Sequence, residues 1–506
     1  MNGNGKRIFN ALLLRLTVFV CGMIVLILEV LGSRLLGPYF GISLFIWSSL
    51  IAITLVSLSI GYWAGGILSD RFQSRLFFYS LILAAGFLVL LIPLAQKPVS
   101  LAMTDLGPRM GCLASAFILF SGPLTLLGTV APFSLKLSLR EIRHAGKISG
   151  DLYALSTAGG ILGTLLVGFW LIPSFGLTNI LLLIASTLAF LPLLYFIAEK
   201  AWPGAAASVL GIVAPLLLLG FYHEQPRSAA IIYKSESFYG QLKVLGTADR
   251  KFLMVDGTIQ TIFHPASPRS TATYTGLVEE ALQTFREENG GRSLRGAVIG
   301  LGGGIIPEAE KRAGDEVDIV EIDPRMAEVA RDFFNFEPGR FHIFLEDARP
   351  FLNRGGQKYD YIVLDVFAGD SAPFYLLSRE CFEQIKRHLS ENGILVMNTA
   401  GMFAGEGSEF THSVYRTLGE SFPDVTVFST SRTANFSNYI MVAGTGSTAF
   451  LTRRSSALKD QEFHLDKEKG LVLTDNFNPA DFLWQNVALS WRRSIWKETP
   501  PEILLD

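Results

Sequence analysis

Cysteine, histidine and charge are all scarce in this chain of 506 residues, and each scarcity excludes something. The three cysteines, Cys21, Cys112 and Cys381, are too few for a disulfide framework and too widely spaced for a chelating pair. Two of them lie inside apolar runs, where a thiol behaves as a small hydrophobe. The seven histidines show no metal-ligand spacing either, so no metal is expected. Charged residues make up only 17% of the chain, while 50% is hydrophobic and 12% aromatic, a balance that excludes intrinsic disorder. The mean hydropathy of +0.37 is too apolar for an ordinary soluble protein.

The charge that is present is segregated. Residues 1–222 hold 13 of the 43 Lys/Arg and only 6 of the 45 Asp/Glu, which leaves residues 223–506 acidic. An acidic domain without a basic stripe is not expected to bind nucleic acid. In the first part, seven stretches (about 16–36, 43–66, 76–95, 112–135, 152–173, 178–198 and 205–222) approach the roughly 20 apolar residues that cross about 30 Å of hydrocarbon. Buried helices of a soluble protein would not supply six uncharged runs of this length, so a multi-pass helical bundle in a lipid bilayer is expected. The first run carries Glu29 and Arg34, which need partners because a lone charge in the bilayer costs several kcal/mol. Basic residues precede that run, but no small-residue cleavage site follows, so a retained segment is expected rather than a signal peptide.

Lys6/Arg7, Arg71/Arg75 and the group Lys136, Arg140, Arg143, Lys147 fall after even numbers of crossings and place the N-terminus inside. Seven crossings would then put residues 223 onward outside. A re-entrant or interfacial 205–222, the shortest run, would keep them inside.

Beyond residue 222 the pattern changes to short β-like runs, AAIIY, FYGQLKVLG, KFLMV and TIQTIF, read as a small antiparallel sheet over 223–270. A helix over 271–287 leads into strand–helix alternation: AVIGL, VDIVEID, FHIFLED, YDYIVLDV and GILVMN. Helices are expected at about 305–313, 324–335, 348–353 and 378–389. This alternation implies a doubly wound, mostly parallel α/β sheet over 271–450, with a C-terminal extension over 451–506.

The ends of those strands carry the chemistry. The first runs into Gly300–Leu301–Gly302–Gly303–Gly304, a turn that lets backbone approach a ligand at a helix N-terminus. The next ends in Glu321–Ile322–Asp323, about 20 residues on, where a carboxylate can hold ribose hydroxyls. The third ends in Glu346–Asp347–Ala348 and the fourth in Asp365. One such acid is ordinarily a solvated strand end or a helix cap; four in order along the expected binding edge indicate a nucleoside site.

The series GLGGG, VEID, EDA and LDVFAGD resembles the S-adenosylmethionine-dependent methyltransferase fold in its spermidine synthase branch, in which an antiparallel domain precedes the nucleoside-binding sheet. SFYGQLKV and LMVDGTIQ match that domain. EVLGSRLLGPYFG (29–41) and GDLYALSTAGGILGTLLVGFWLIPSFG (150–176) resemble the membrane bundle fused to such domains in bacteria. The resemblance implies decarboxylated S-adenosylmethionine or S-adenosylmethionine as co-substrate, held by Gly300, Gly302, Gly303, Gly304, Glu321, Asp323, Asp347 and Ala348. It implies Asp365 as general base, and Tyr239, Gln241, Tyr274 and Asp370 as residues binding a small amine or polyamine. Aminopropyl transfer with release of methylthioadenosine, a homodimer, and the bacterial inner membrane with a cytoplasmic soluble domain are expected.

The sequence departs from the family in the amine channel. Gly240 stands where the family has Gln, Thr275–Gly276 where it has His–Glu, and Ile305 where an acid follows the glycine loop. Asp365 and Asp370 are spread by a longer loop. Two alternatives therefore stay open: a methyl or aminopropyl transferase acting on a non-polyamine or lipid acceptor, and a transporter or sensor with a nucleoside-binding domain.

Overall fold

The computed structural model describes residues 3–40, 44–139, 145–224, 231–265, 272–366, 373–431, 433 and 435–498. The chain forms two compact units, Met1–Pro226 and Arg227–Asp506.

The first unit is helical: α1 (Gly3–Phe40), α2 (Leu44–Arg71), α3 (Arg75–Met103), α4 (Gly107–Gly128), α5 (Val130–Ser138), α6 (Ala145–Leu166), α7 (Ile172–Phe175), α8 (Leu177–Ala198) and α9 (Trp202–Glu224). Six of its helical stretches are long and apolar enough to cross a membrane, and a shorter apolar helix covers Trp202–Leu218. The seven apolar runs thus divide into six and one, the odd one being the last and shortest. Small residues set the packing: Gly159 and Gly163 of α6 face the backbone of Phe19 and Met23 on α1, and Gly22 faces Ser156. Glu29 hydrogen-bonds the buried Thr54 of α2. Lys6 and Glu199 pair at 2.7 Å across α1 and α8, and Lys136 and Asp70 at 2.7 Å across α5 and α2.

The second unit holds two sheets. Strands β1 (Ile231–Glu236), β2 (Gln241–Gly246), β3 (Lys251–Val255) and β4 (Thr258–Phe263) form an antiparallel meander, matching the four β-like runs. Its inner residues Leu242, Val244, Leu253 and Val255 share one core with the larger sheet. The larger sheet contains β5 (Arg295–Ile299), β6 (Glu316–Glu321), β7 (His342–Leu345), β8 (Tyr359–Leu364), β9 (Leu389–Met402), β10 (Asp424–Ser429), β11 (Phe436–Gly444) and β12 (Glu462–Phe463). Their spatial order is β12-β10-β11-β9-β8-β5-β6-β7. Strands β5 to β9 are mutually parallel; β10, β11 and β12 pair antiparallel.

Helices cover both faces: α10 (Thr273–Glu288), α11 (Ile305–Arg312), α12 (Pro324–Phe333), α13 (Ala348–Asn353), α14 (Arg379–His388), α15 (Ser408–Ser421), α16 (Phe450–Arg454), α17 (Ser456–Gln461) and α18 (Ala480–Glu498). The period-two alternation of the strands sorts the core. Val298, Ile319 and Val363 pack with α10, α11 and α12 on one face, while Ile299, Val320 and Leu364 pack with α13, α14, α15 and α18 on the other.

Candidate functional site

The carboxyl ends of the parallel strands open into a cavity of about 570 Å³. Strand β5 leads into the glycine loop. Gly300 adopts φ +94°, and a Cβ there would strike the Asp365 carbonyl, so only glycine lets the ends of β5 and β8 converge. The Gly303 N–H donates to Thr261 Oγ1 at 3.0 Å, by which β4 pins the loop. Gly300, Gly302 and Gly303 line the cavity; Gly304, at φ +77°, precedes α11 and does not.

At the end of β6, Glu321 is buried in the cavity wall. Its Oε2 accepts the Leu301 N–H at 2.9 Å and its Oε1 the Asp323 N–H at 2.8 Å. Burial pushes its pKa up to about 7, against the pull of those backbone donors. Each oxygen keeps a lone pair for a further donor. Asp323 also lines the cavity and caps α12 through the Arg325 N–H at 3.0 Å; burial raises its pKa as well. At the end of β7, Glu346 and Ala348 line the cavity and Asp347 does not. Asp347 instead caps α13, accepting the Arg349 N–H at 2.8 Å and the Tyr375 hydroxyl at 2.6 Å.

Asp365 ends β8 inside the cavity. Its Oδ2 accepts from the Tyr274 hydroxyl of α10 at 3.1 Å and its Oδ1 from Asn398 Nδ2 of β9 at 2.9 Å. Burial pushes its pKa upward, and these two hydrogen bonds partly oppose the shift. Asn398 in turn accepts from Asn438 Nδ2 of β11 at 3.0 Å.

The cavity thus brings together Tyr239, Tyr274, Gly300, Gly302, Gly303, Glu321, Asp323, Ala348 and Asp365. Gln241 stands apart: its N–H donates to Asp256 at 2.9 Å and its amide to Glu236 at 2.6 Å. Asp370 lies outside the described residues. Sequence reasoning passed over Thr261, Tyr375, Asn398, Thr430, Asn438 and Trp491, all of which line the cavity. Asn398 closes the GILVMN run, and the strand-end rule that found Asp365 reaches it too. Asn438, on an antiparallel strand, and Trp491, on α18, carry no such signal. Among the described residues no cluster of three or more His, Cys, Asp or Glu side chains has metal-binding geometry.

A glycine turn, a buried carboxylate one strand on and a half-buried aspartate at a central strand's end define a Rossmann-like domain of the methyltransferase class. The spermine/spermidine synthase domain model matches residues 247–456. A polyamine aminopropyltransferase of Vibrio vulnificus is 31% identical over 208 residues, covering 37% of this chain and 68% of that protein. Polyamine aminopropyltransferase 2 of Aquifex aeolicus is 24% identical over 497 residues, covering 91% of this chain and 92% of that protein. Among solved structures, a probable spermidine synthase from Corynebacterium glutamicum is 20% identical over 42% of this chain and 80% of its own, with a TM-score of 0.39. The chain belongs to the spermine/spermidine synthase family and is a transferase.

Proposed function

We propose that the chain transfers an aminopropyl group from decarboxylated S-adenosylmethionine to an amine and releases methylthioadenosine. The observation that carries this reading is Asp365, a half-buried carboxylate in the cavity between the ends of β5–β7 and strands β9 and β11. Glu321 takes the ribose hydroxyls, with Asp323 beside it; the glycine loop faces the aminopropyl chain. Asp347, held by Tyr375, orients the adenine-side loop, with Ala348 against the base. Tyr239 and Tyr274 flank the acceptor and Asp370 completes its channel, while Gln241 supports the small sheet through Glu236.

The acceptor nitrogen must be neutral to attack. Asp365 orients the ammonium group and takes one proton as the C–N bond forms; the C–S bond breaks with its electron pair going to the sulfonium sulfur. Tyr274 and Asn398 hold the carboxylate in place for this and leave it further lone pairs.

The six long apolar helices support a multi-pass anchor in the bacterial inner membrane. With six crossings and α9 interfacial, the soluble unit lies on the cytoplasmic side with the N-terminus, where its donor is made. We further propose a division into 1–222, 223–270, 271–450 and 451–506, and a homodimer.

The test is calorimetry on the full-length chain in lipid nanodiscs with methylthioadenosine and S-adenosylhomocysteine, alongside turnover of decarboxylated S-adenosylmethionine. Tighter binding of methylthioadenosine and its release during turnover are expected. Preference for S-adenosylhomocysteine would reassign the transferred group to methyl.

A further inference from the structure

Two short pieces of chain meet at the end of the cavity beyond β7. One is the turn from β7 into α13, whose Glu346 and Ala348 line the cavity on either side of Asp347. The other is residues 373–378, of which Pro373, Tyr375 and Leu376 line the cavity. This second piece is a single 3-10 turn, Phe374–Leu376, running into Ser378, the N-cap of α14.

A segment from much later in the chain grips both. Residues 471–478 lie beyond the matched family domain, which ends at residue 456. The backbone N–H groups of Leu471 and Leu473 donate to Ser413 and Thr417 of α15, each at 2.9 Å, and the Leu473 carbonyl accepts the Arg379 N–H at 2.8 Å. Anchored in this way, the segment presents Asp475. The Arg349 guanidinium of α13 meets that carboxylate with both arms of its fork, Nη2 to Oδ2 at 2.5 Å and Nη1 to Oδ1 at 3.2 Å. Ser378 Oγ also donates to Asp475, at 2.5 Å, and Asn478 Nδ2 donates to the Phe374 carbonyl at 2.8 Å. Arg349 Nη1 reaches the Tyr375 carbonyl at 2.8 Å, and the Tyr375 hydroxyl donates to Asp347 at 2.6 Å. The Arg349 N–H closes the ring on the same Asp347 carboxylate at 2.8 Å.

We propose that Arg349 and Asp475 are positioning residues for the donor: they clasp the β7–α13 turn to residues 373–378 and so fix the wall against which the donor's base lies. The inference rests on the nucleoside reading above. Neither side chain lines the cavity, so each acts through Tyr375, Asp347 and Ala348. A wall fixed in advance spares the ligand the cost of ordering it on binding. One guanidinium meets a carboxylate, a carbonyl and a hydroxyl in set directions, which an ammonium on a flexible stem does not do. Opening the clasp leaves Asp365 and its partners Tyr274 and Asn398, on other elements, as they are. Chemistry on the bound donor should therefore continue.

The experiment measures calorimetric Kd for methylthioadenosine on the full-length chain in nanodiscs, with kcat and both KM values for decarboxylated S-adenosylmethionine and 1,4-diaminobutane. Asp475→Ala and Arg349→Lys should each raise the methylthioadenosine Kd and the donor KM about tenfold, while kcat at saturating donor and the acceptor KM stay within about twofold. The double variant should bind no more weakly than the weaker single one, because the clasp is already open. Should Asp475→Ala fail to fold in thermal unfolding, Asp475→Asn takes its place. It keeps an acceptor for Ser378 and loses the charge that Arg349 meets, so a donor Kd raised about threefold is expected. An unchanged donor Kd in the single variants, or losses that add in the double, overturns the clasp. A kcat that falls in step with affinity shows a general loosening of the fold and overturns the positioning role. A parent chain that binds no methylthioadenosine overturns the nucleoside reading itself, whatever the variants do.

Discussion

Replacing Asp365 by asparagine separates its chemical role from its structural one, because the site around it tolerates the change. In the native chain Oδ1 accepts from Asn398 at 2.9 Å and Oδ2 from the Tyr274 hydroxyl at 3.1 Å. The Asp365→Asn side chain keeps an oxygen for the Asn398 amide and turns an NH₂ toward Tyr274. That hydroxyl can rotate and accept, since it carries both a donor and lone pairs. No buried polar atom is orphaned, so the stability change should stay near 1 kcal/mol. What disappears is basicity. A positioned general base contributes about 10²–10⁴ in rate, or roughly 2.7–5.5 kcal/mol of barrier. The expected result is a kcat lower by two to four orders of magnitude with donor Kd within about threefold of the parent, the pattern of a group acting mainly in the transition state. Methylthioadenosine release by mass spectrometry and calorimetric Kd on the same nanodisc sample measure both. Normal turnover in the variant would show that Asp365 is a structural strand-end acid and that the general base lies elsewhere.

Glu321→Gln sets an amide NH₂ against one of two backbone N–H donors, so it should weaken the nucleoside by at least tenfold and also cost about 1–3 kcal/mol of stability, read by calorimetry and thermal unfolding; unchanged affinity would displace the ribose site. Burial raises the Glu321 pKa from 4.5 to about 7 in the folded chain. The protonated form is therefore the one the ligand-free fold favours: its contribution to stability is full below the unfolded value and is lost as pH rises through about 7. Hydroxyl donors favour the anion, so donor affinity should climb with pH up to about 7 and level off above it, a dependence that Glu321→Gln should abolish in calorimetry between pH 5.5 and 8.5. Arg286 pairs with Glu310 at 2.5 Å and Asp315 at 2.7 Å beneath the sheet, and Arg286→Met leaves two buried carboxylates uncompensated; a loss of about 3–5 kcal/mol is expected as a lower unfolding temperature, and an unchanged one would mean that the cluster is hydrated.

Legibility in the sequence followed periodicity. The runs AVIGL, VDIVEID, FHIFLED and YDYIVLDV are short, apolar and bounded by turns, and they became β5 to β8 because parallel strands covered on both faces need side chains of one kind. The helices between them carry strong amphipathic patterns and were placed within a residue or two. Past residue 400 the signal weakened. Strands β10 and β11 mix Thr, Ser and Asn with apolar residues; β11 pairs antiparallel with β9 and β10 with β11, so neither carries the continuous apolar run of a parallel strand. Thr430 and Asn438, which line the cavity, lie there, and no periodicity marked them. Asp347 supports two readings at once: its motif resembles that of a ligand residue, and as a strand-end Asp before a helix it also caps that helix.

That unevenness has a physical basis. Nucleoside recognition needs glycines where backbone must converge and a carboxylate at a fixed distance along the chain, so the constraint is written locally, as at Gly300 and Glu321. The opposite wall needs only side chains from β9, β11 and α18 to meet in space, and any sequence separation that folds correctly will do. Tyr274, Asp365, Asn398 and Asn438 are joined by three successive hydrogen bonds across four elements, although 164 positions separate the first from the last. A change at Asn438 therefore reaches the carboxylate through Asn398 without touching the nucleoside side. On the proposed reading, the wall over β9 and β11 can change while the glycine loop and Glu321 stay as they are, which is how one donor site could serve transferases with different acceptors.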